Sequence, residues 1–316
     1  MKKTILATML TSLFAATAAH SATVYEADGV TLDVFGDIEV QAAKGTGDDD
    51  PKMINLDDAD FGIQAGYALT EDLSAVGKIS VTGEDEDIDE VDGDVTTTPE
   101  VNLDEAFVGL SSAQWGTLTV GQQYMISDDI GIGNDYAFGI ANSYAGGYYD
   151  GRQVLKYSLD KGNYYFGLSY LLNTDSPSDN VESIDAKLGV RLDALDLTAY
   201  LGKTDVADQS STTVILEARY TIDNLALEAA VGSADGYSSD EDNTSFGVAA
   251  AYTVDKVTYS GGYSIFDQDG ADDKVNNYFV NAAYAFNSNV TVYAELGGDD
   301  TDDSELGYAA GMAVTF

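Results

Sequence analysis

Residues 305–316 read ELGYAAGMAVTF, and their large side chains fall on every second position up to the terminal phenylalanine. Leu306, Tyr308, Met312 and Phe316 share one face of this stretch, whereas the opposite face carries only small or polar residues. Alternation with a period of two is typical of a β-strand whose two faces meet different surroundings. A small, polar second face fits a wall that is wet on its inner side, as in a transmembrane barrel.

The same kind of strand recurs at a fixed spacing in the second half of the chain. Tyr220, Tyr252, Tyr284 and Phe316 are separated by 32 residues each time, and short polar turns follow the three tyrosines. Each period contains two alternating stretches, so the repeating unit is a hairpin rather than the helical unit of a solenoid. We expect the aromatic residues beside the turns to form a girdle at one membrane surface.

Short turns alternate with long, acidic linkers, among them Gly83–Glu100, and Pro51, Pro99 and Pro177 are all assigned to such linkers. The pattern predicts an all-β fold, a closed sixteen-stranded antiparallel transmembrane β-barrel. The predicted strands begin near Val30, Leu56, Leu73, Val101, Thr117, Arg152, Tyr164, Ile184, Leu195, Thr212, Leu225, Thr244, Val257, Asn277, Val290 and Glu305.

The N-terminus has the features of a secretory signal peptide. Lys2 and Lys3 precede a mostly apolar segment, and Ala19-His20-Ser21 offers small residues at the two positions that signal peptidase reads. We expect cleavage before Ala22, so that residues 1–21 are the signal peptide and residues 22–316 form the barrel domain.

Composition excludes several classes of function. The chain has 316 residues, a formal net charge of −41, no cysteine and a single histidine, which lies in the predicted signal peptide. Thiolate chemistry and His-dependent catalytic or zinc sites therefore have no residues to build on. A nucleic-acid partner is not expected, because phosphate recognition needs a basic surface. We expect no enzymatic activity, although a hydrolase that uses only carboxylates stays open.

Several stretches resemble the general diffusion porins of Gram-negative outer membranes, and the resemblance covers the whole predicted mature chain. They are GVTLDVFGDIEV at residues 29–40, AFVGLSSAQWGTLTVGQQ at 106–123, DGRQVLKYSL at 150–159 and the terminal Phe316. The resemblance implies an outer-membrane, trimeric channel whose third loop folds inward. It also implies that the strand ending at Phe316 is read by the barrel-assembly machinery.

By this resemblance the constriction loop runs from Tyr124 to Asp150. It carries Asp128, Asp129 and Asp135 among glycines and aromatic residues. We expect these carboxylates to narrow the pore with negative charge; an ordinary surface loop is the alternative.

The wall opposite that loop departs from the family pattern. Porins of this kind place basic residues there, but the matching positions hold Asp37, Asp60 and Asp104, and only Arg152 stays basic. The arginine usual after the WGTLTVG stretch is replaced by Gln122. The constriction is therefore predicted to be acidic on both sides.

A few basic residues fall on inward-facing positions by strand parity, and these are Lys78, Lys187, Arg191 and Arg219. Either they line the pore and partly compensate its negative charge, or they form local ion pairs with neighbours such as Glu217 and Asp185.

Together these features predict an outer-membrane channel for passive diffusion of ions and small hydrophilic solutes, with a preference for cations. A substrate-specific channel, for instance for oligosaccharides, is the alternative, because Tyr136, Phe138, Tyr144, Tyr148 and Tyr149 lie in the predicted loop. A secreted acidic β-sandwich is the structural alternative.

The expected partners are outer-membrane lipid, two further copies of the chain in a homotrimer, and the barrel-assembly machinery. No cofactor or specific metal site is expected, since no acidic stretch has the spacing of a calcium-binding loop. Diffuse binding of divalent cations by the acidic loops stays open.

Overall fold

The computed structural model describes residues 21–47, 50, 52–91, 94–142, 148–172, 181–207, 209–237, 242–271 and 273–316, with the backbone alone over 84–91 and 94–100. Residues 1–20 of the predicted signal peptide, Pro51, Tyr144 and Pro177 lie outside the described residues. The first nine strands are β1 Ala22–Ala27, β2 Val30–Lys44, β3 Met53–Asp58, β4 Phe61–Ala68, β5 Ser74–Val91, β6 Asp94–Ser112, β7 Gly116–Tyr124, β8 Asp150–Asp160 and β9 Tyr164–Leu171. The others are β10 Val181–Leu192, β11 Leu195–Val206, β12 Gln209–Ile222, β13 Leu225–Asp235, β14 Asn243–Val254, β15 Val257–Gln268, β16 Val275–Asn287, β17 Val290–Asp299 and β18 Gly307–Thr315.

All pairings are antiparallel, and the sheet closes on itself because β18 pairs with β2 from Tyr308↔Lys44 to Thr315↔Asp37. Closure leaves no open edge along the wall, which is what a strand-built membrane protein requires. The predicted closed sixteen-stranded barrel is confirmed.

The structure has two strand segments more than that number, and both have simple explanations. β3 and β4 form one interrupted strand, because the pairs Glu39↔Asp58 and Gly36↔Phe61 keep the same register on β2. β1 pairs with β2 beyond the end of β18, where the backbones of Gly36 and Phe316 exchange two 2.8 Å hydrogen bonds. β1 thus continues the line of the last strand.

The two faces of the wall follow the alternation in the sequence. Leu188 and Leu201 expose 58% and 56% of their surface on the outer face, whereas their neighbours in sequence Lys187 and Gly202 lie on the other face. The last strand behaves in the same way, with Tyr308 exposed and Ala309 buried. No helix among the described residues is long and apolar enough to cross a membrane.

One predicted linker was wrong. Gly83–Glu100 forms the far halves of β5 and β6, which pair with each other as far as Val91↔Asp94. Pairing of β5 with β4 ends at Val81, so this hairpin extends beyond its neighbours. Most residues of this hairpin are polar, so the alternation of apolar and polar positions that indicates a strand is absent from it. For this reason the sequence pattern did not predict these two strands. Pro99 consequently lies in a strand, where it is paired with Asp85 of β5.

Candidate functional site

The segment between β7 and β8 lies against the inner face of the wall. It begins with a short 3-10 helix, Ile126–Asp129, and its described part bonds to side chains of β10, β12, β13, β15, β16 and β17. These side chains alternate with exposed apolar ones; Glu295, for example, precedes the exposed Leu296. The loop between Tyr124 and Asp150 therefore lies inside the barrel over its described residues.

Wall carboxylates hold the backbone of this loop. Asp185 accepts from Ser127 N at 2.7 Å, Glu217 from Gly131 N at 2.8 Å, and Glu228 from Gly133 N at 2.6 Å. Hydrogen bonds to an ionised acceptor are about twice as strong as neutral ones. Part of the acidic lining is therefore used to attach the loop.

Glu295 makes the densest of these attachments. Its Oε1 accepts from Ala137 N and Phe138 N at 2.9 and 2.8 Å, and its Oε2 accepts from Tyr136 N and Asn281 Nδ2 at 2.8 Å each. Three successive loop amides thus converge on one buried carboxylate.

Apolar contacts fix the start of the loop. Met125 is fully buried in a cluster with Val154, Leu171 and Val181. The next residue, Ile126, is buried in a second cluster, whose buried members are Ile126, Tyr200 and Ile215. Burying such side chains stabilises an arrangement by about 1.5–3 kcal/mol each, so the loop has a small dry core behind it.

Aromatic residues of the loop pack on the wall. The rings of Tyr136 and Tyr293 are stacked, with centroids 3.8 Å apart and planes 8° from parallel. The Phe138 ring fills the space where a side chain would stand at Gly297 or Gly307. Tyr136 and Phe138 therefore contribute to holding the loop.

The three loop aspartates predicted to narrow the pore have different surroundings. Asp128 is solvent-exposed, Asp129 forms an ion pair with Lys187, and the Asp135 carboxylate lies beside Gly133 and Gly139. Burial, followed by the charge of Glu295, raises the pKa of Asp135. Of these three charges, that of Asp129 is compensated by a direct ion pair.

The protein around Asp128 reduces the solvation of its charge, and this raises the pKa of its carboxyl to about 6. The charges of Asp129, Glu105 and Asp150 act in the same direction, whereas Lys156 opposes them.

We expect cation preference to fall between pH 7.5 and pH 5, because Asp128 gains its proton as the pH drops through about 6. An ordinary aspartate would stay ionised over this range. Reversal potentials of the wild type and of Asp128→Asn at both pH values measure the effect. An equally large pH response in the variant would contradict the assignment.

On the wall, the structure brings Asp37 and Asp60 together and adds Asp58. One carboxylate oxygen from each of the three lies within 4.8 Å of the others, and all three residues are half-buried. Among the residues that the structure describes, this is the only such acidic group. Oxygen ligands at this spacing suit hard cations, so this is where a cation would be held if the lining binds one.

Asp104 stands beside this group at an irregular point of β6. The pairing shifts by one residue between Ile79↔Ala106 and Val81↔Leu103, so Asp104 and Glu105 both face Ser80. Such a β-bulge turns two successive side chains toward the same region. Asp104 accepts from Ser80 Oγ at 2.8 Å and from the Tyr124 hydroxyl at 2.7 Å.

Lys78 is paired with Glu105, and its ammonium lies 4.8 Å from the centre of the Phe35 ring. Glu105 was not predicted, since strict alternation would turn it outward. Arg152 is exposed in β8, and its role on the pore wall stays a prediction.

The remaining predicted inward cations are also paired. Arg219 contacts Glu217 at 2.8 Å, and Arg191 contacts Asp160 at 2.9 Å and Asp196 at 3.2 Å. Of the two alternatives drawn from the sequence, local pairing describes these residues. Asp185 is the exception, since it accepts from the loop and from Ser169 instead.

The comparisons with known proteins agree with this architecture. A family profile described as Gram-negative porin matches residues 7–304. The chain is similar to porin-like protein H of Photobacterium profundum, with 32% identity over 343 residues that cover 100% of both chains. A monosaccharide porin of a Halomonas species is 30% identical over 133 residues, which are 41% of this chain and 35% of that protein.

Solved structures share the fold at lower identity. A loop L8 deletion mutant of OmpT from Vibrio cholerae superposes with a TM-score of 0.76 at 22% identity, covering 92% of this chain and all of that one. OmpT in its trimer form gives 0.71 at 18% identity, covering 92% and 100%. An anion-selective porin from Comamonas acidovorans gives 0.74 at 16% identity, covering 91% and 100%.

Proposed function

The chain belongs to the Gram-negative porin family, and from this premise we propose that its channel prefers cations. The protein is an integral β-barrel of the outer membrane, and it lets solutes diffuse passively across that membrane. To passive diffusion the proposal adds a preference for positively charged ions over negatively charged ones. It also holds that the channel catalyses no reaction.

One observation carries the proposal, namely the convergence of Asp37, Asp58 and Asp60 on one wall. Asp104 lies beside them, and the exposed Asp128 belongs to the loop. Carboxylates in a narrow lumen with low-dielectric walls attract cations and repel anions. The effect reaches about 8 Å at physiological ionic strength, which is enough to act across a constriction.

The fold alone does not decide the sign of selectivity. The Comamonas acidovorans relative of this fold is described as anion-selective. Selectivity must therefore follow from the side chains in the lumen, and here the charges on β2–β6 are mainly acidic.

A KCl gradient across a planar bilayer tests the proposal directly. We expect the reversal potential of the purified protein to have the sign of potassium preference, most clearly at low salt, where screening is weakest. A reversal potential with the sign of chloride preference would overturn the proposal.

A sugar-specific channel is the second candidate, because the Halomonas relative is described as a monosaccharide porin. Such a channel needs aromatic surfaces that a sugar can reach. Of the loop aromatics, Tyr136 and Phe138 are instead engaged with Tyr293 and with the glycines of β17 and β18, whereas Tyr149 is 37% exposed. We therefore favour the first candidate, and block of the channel current by micromolar sugar would favour the second.

We further propose a homotrimer in outer-membrane lipid, inserted by the barrel-assembly machinery. The trimer form of OmpT supports the assembly. The pairing of Phe316 with Gly36 supports a role for the last strand in closing the barrel. Diffuse binding of divalent cations by the acidic loops is part of the same proposal.

A further inference from the structure

Arg219 makes more contacts at the point where the loop is attached to the wall than a single ion pair would provide. It lies in β12, opposite Asp196 of β11 and Glu228 of β13. Its guanidinium reaches Glu217 Oε2 at 2.8 Å and Glu228 Oε1 at 3.6 Å, and it also donates to the carbonyl of Gly131. One side chain thus touches two wall carboxylates and the loop backbone.

Each of the two glutamates contacts the loop backbone with one carboxylate oxygen and Arg219 with the other. Glu217 Oε1 accepts from Gly131 N, and its Oε2 forms an ion pair with Arg219. Glu228 Oε2 accepts from Gly133 N, and its Oε1 forms an ion pair with Arg219. The planar guanidinium, with its fixed fork of donors, suits such a bridging position, and a lysine could not cover all three acceptors.

The loop is unusual at this point. Gly131 and Gly133 have φ values of +143° and +110°, which other residue types rarely adopt. A backbone held in such conformations needs surrounding contacts that fix it. The bonds from Glu217, Glu228 and Arg219 are those contacts.

We propose that Arg219 is a positioning residue for the loop segment 131–133, and through it for the loop aspartates on either side. Asp129 precedes this segment and Asp135 follows it. Without Arg219, the carboxylates of Glu217 and Glu228 would lose the cation that they share. The Glu217 side chain is 0% exposed, so a buried charge would remain there without a countercharge, which is destabilising. The proposal goes beyond cation preference and does not depend on it.

Cysteine labelling can test this, because the chain has no cysteine of its own. Ile132→Cys places a thiol between Gly131 and Gly133, at a position that is 8% exposed and becomes reachable only when this segment opens. In this background we compare Arg219→Gln, Arg219→Lys and Arg191→Gln, and measure the rate of modification by a charged methanethiosulfonate together with open-channel current noise. Arg191→Gln is the matched control, since it removes an inward cation whose guanidinium contacts Asp160, Asp196, Gly162 and Tyr165, none of them in the loop.

For Arg219→Gln we expect modification at least about threefold faster and noisier current, because the loop samples open arrangements more often. Arg219→Lys keeps the charge but not the fork, so it should lie between Arg219→Gln and the wild type. Arg191→Gln should match the wild type in both readouts. The proposal is overturned if Arg219→Gln behaves like Arg191→Gln, or if Arg219→Lys restores both readouts fully. Arg219→Lys also decides the matter if Arg219→Gln fails to fold.

Discussion

Replacing Asp37, Asp58 and Asp60 together by asparagine is expected to lower the permeability ratio of potassium over chloride by about threefold at low salt. The three carboxylates lie within 4.8 Å of one another on one wall, so their charges act on a passing ion together. Asparagine keeps the size of each side chain and removes only the charge. Reversal potentials at two salt concentrations measure the change.

A matched control replaces the same number of carboxyl groups elsewhere. Asp273, Asp302 and Asp303 are exposed residues of the loops beside β16 and β18. Their replacement by asparagine should change selectivity much less, because charges in open solvent are screened. If both triple variants had the same effect, selectivity would follow total charge, and the wall would have no special part in it.

The sequence was sufficient to predict the barrel. Alternation such as that of Tyr308 and Met312 against Ala309 requires a wall with one apolar face, and the hairpin repeat fixes its connectivity. The same rule also failed where polarity was uniform, since the hairpin beyond Val81 has no apolar face to reveal it.

The site was less predictable than the barrel. Alternation tells which face of one strand a side chain lies on, but not which side chains of different strands come together. The bulge at Asp104 brings Glu105 inward, and no period-two pattern encodes a shift of register. Asp58 joins Asp37 and Asp60 through the interruption between β3 and β4. The run Asp57-Asp58 before Asp60 was the available signal, although it does not show which carboxylates converge.

The attachments of the loop could not be predicted at all. Parity places Glu228 and Glu295 inward, but it does not tell which inward carboxylates meet the solution and which meet loop amides. That distinction depends on the path of the loop, which its glycines leave undetermined by local sequence. Part of the negative charge of the chain therefore serves to hold the loop and is not available to attract ions.

Glu295→Ala should release the middle of the loop. The substitution leaves the amides of Tyr136, Ala137 and Phe138 without their acceptor. At about 1 kcal/mol for each lost hydrogen bond, the attachment weakens by ~3 kcal/mol, which corresponds to a roughly hundredfold larger open population. Chymotrypsin cuts after aromatic residues, so cleavage after Tyr136 or Phe138, identified by fragment mass, should accelerate by about the same factor.

The matched control is Glu105→Ala. Glu105 is also a buried wall carboxylate, but its side chain pairs with Lys78 and it acts on the loop only through its charge, which Asp128 feels. Its loss should leave cleavage in the loop unchanged, although it removes the same charge from the same lumen. Glu295→Gln should fall between Glu295→Ala and the wild type, because one amide oxygen can still accept while the amide nitrogen faces other donors. Equal cleavage in Glu295→Ala and Glu105→Ala would show that Glu295 does not hold the loop, and the stacking of Tyr136 on Tyr293 would then be the contact to test next.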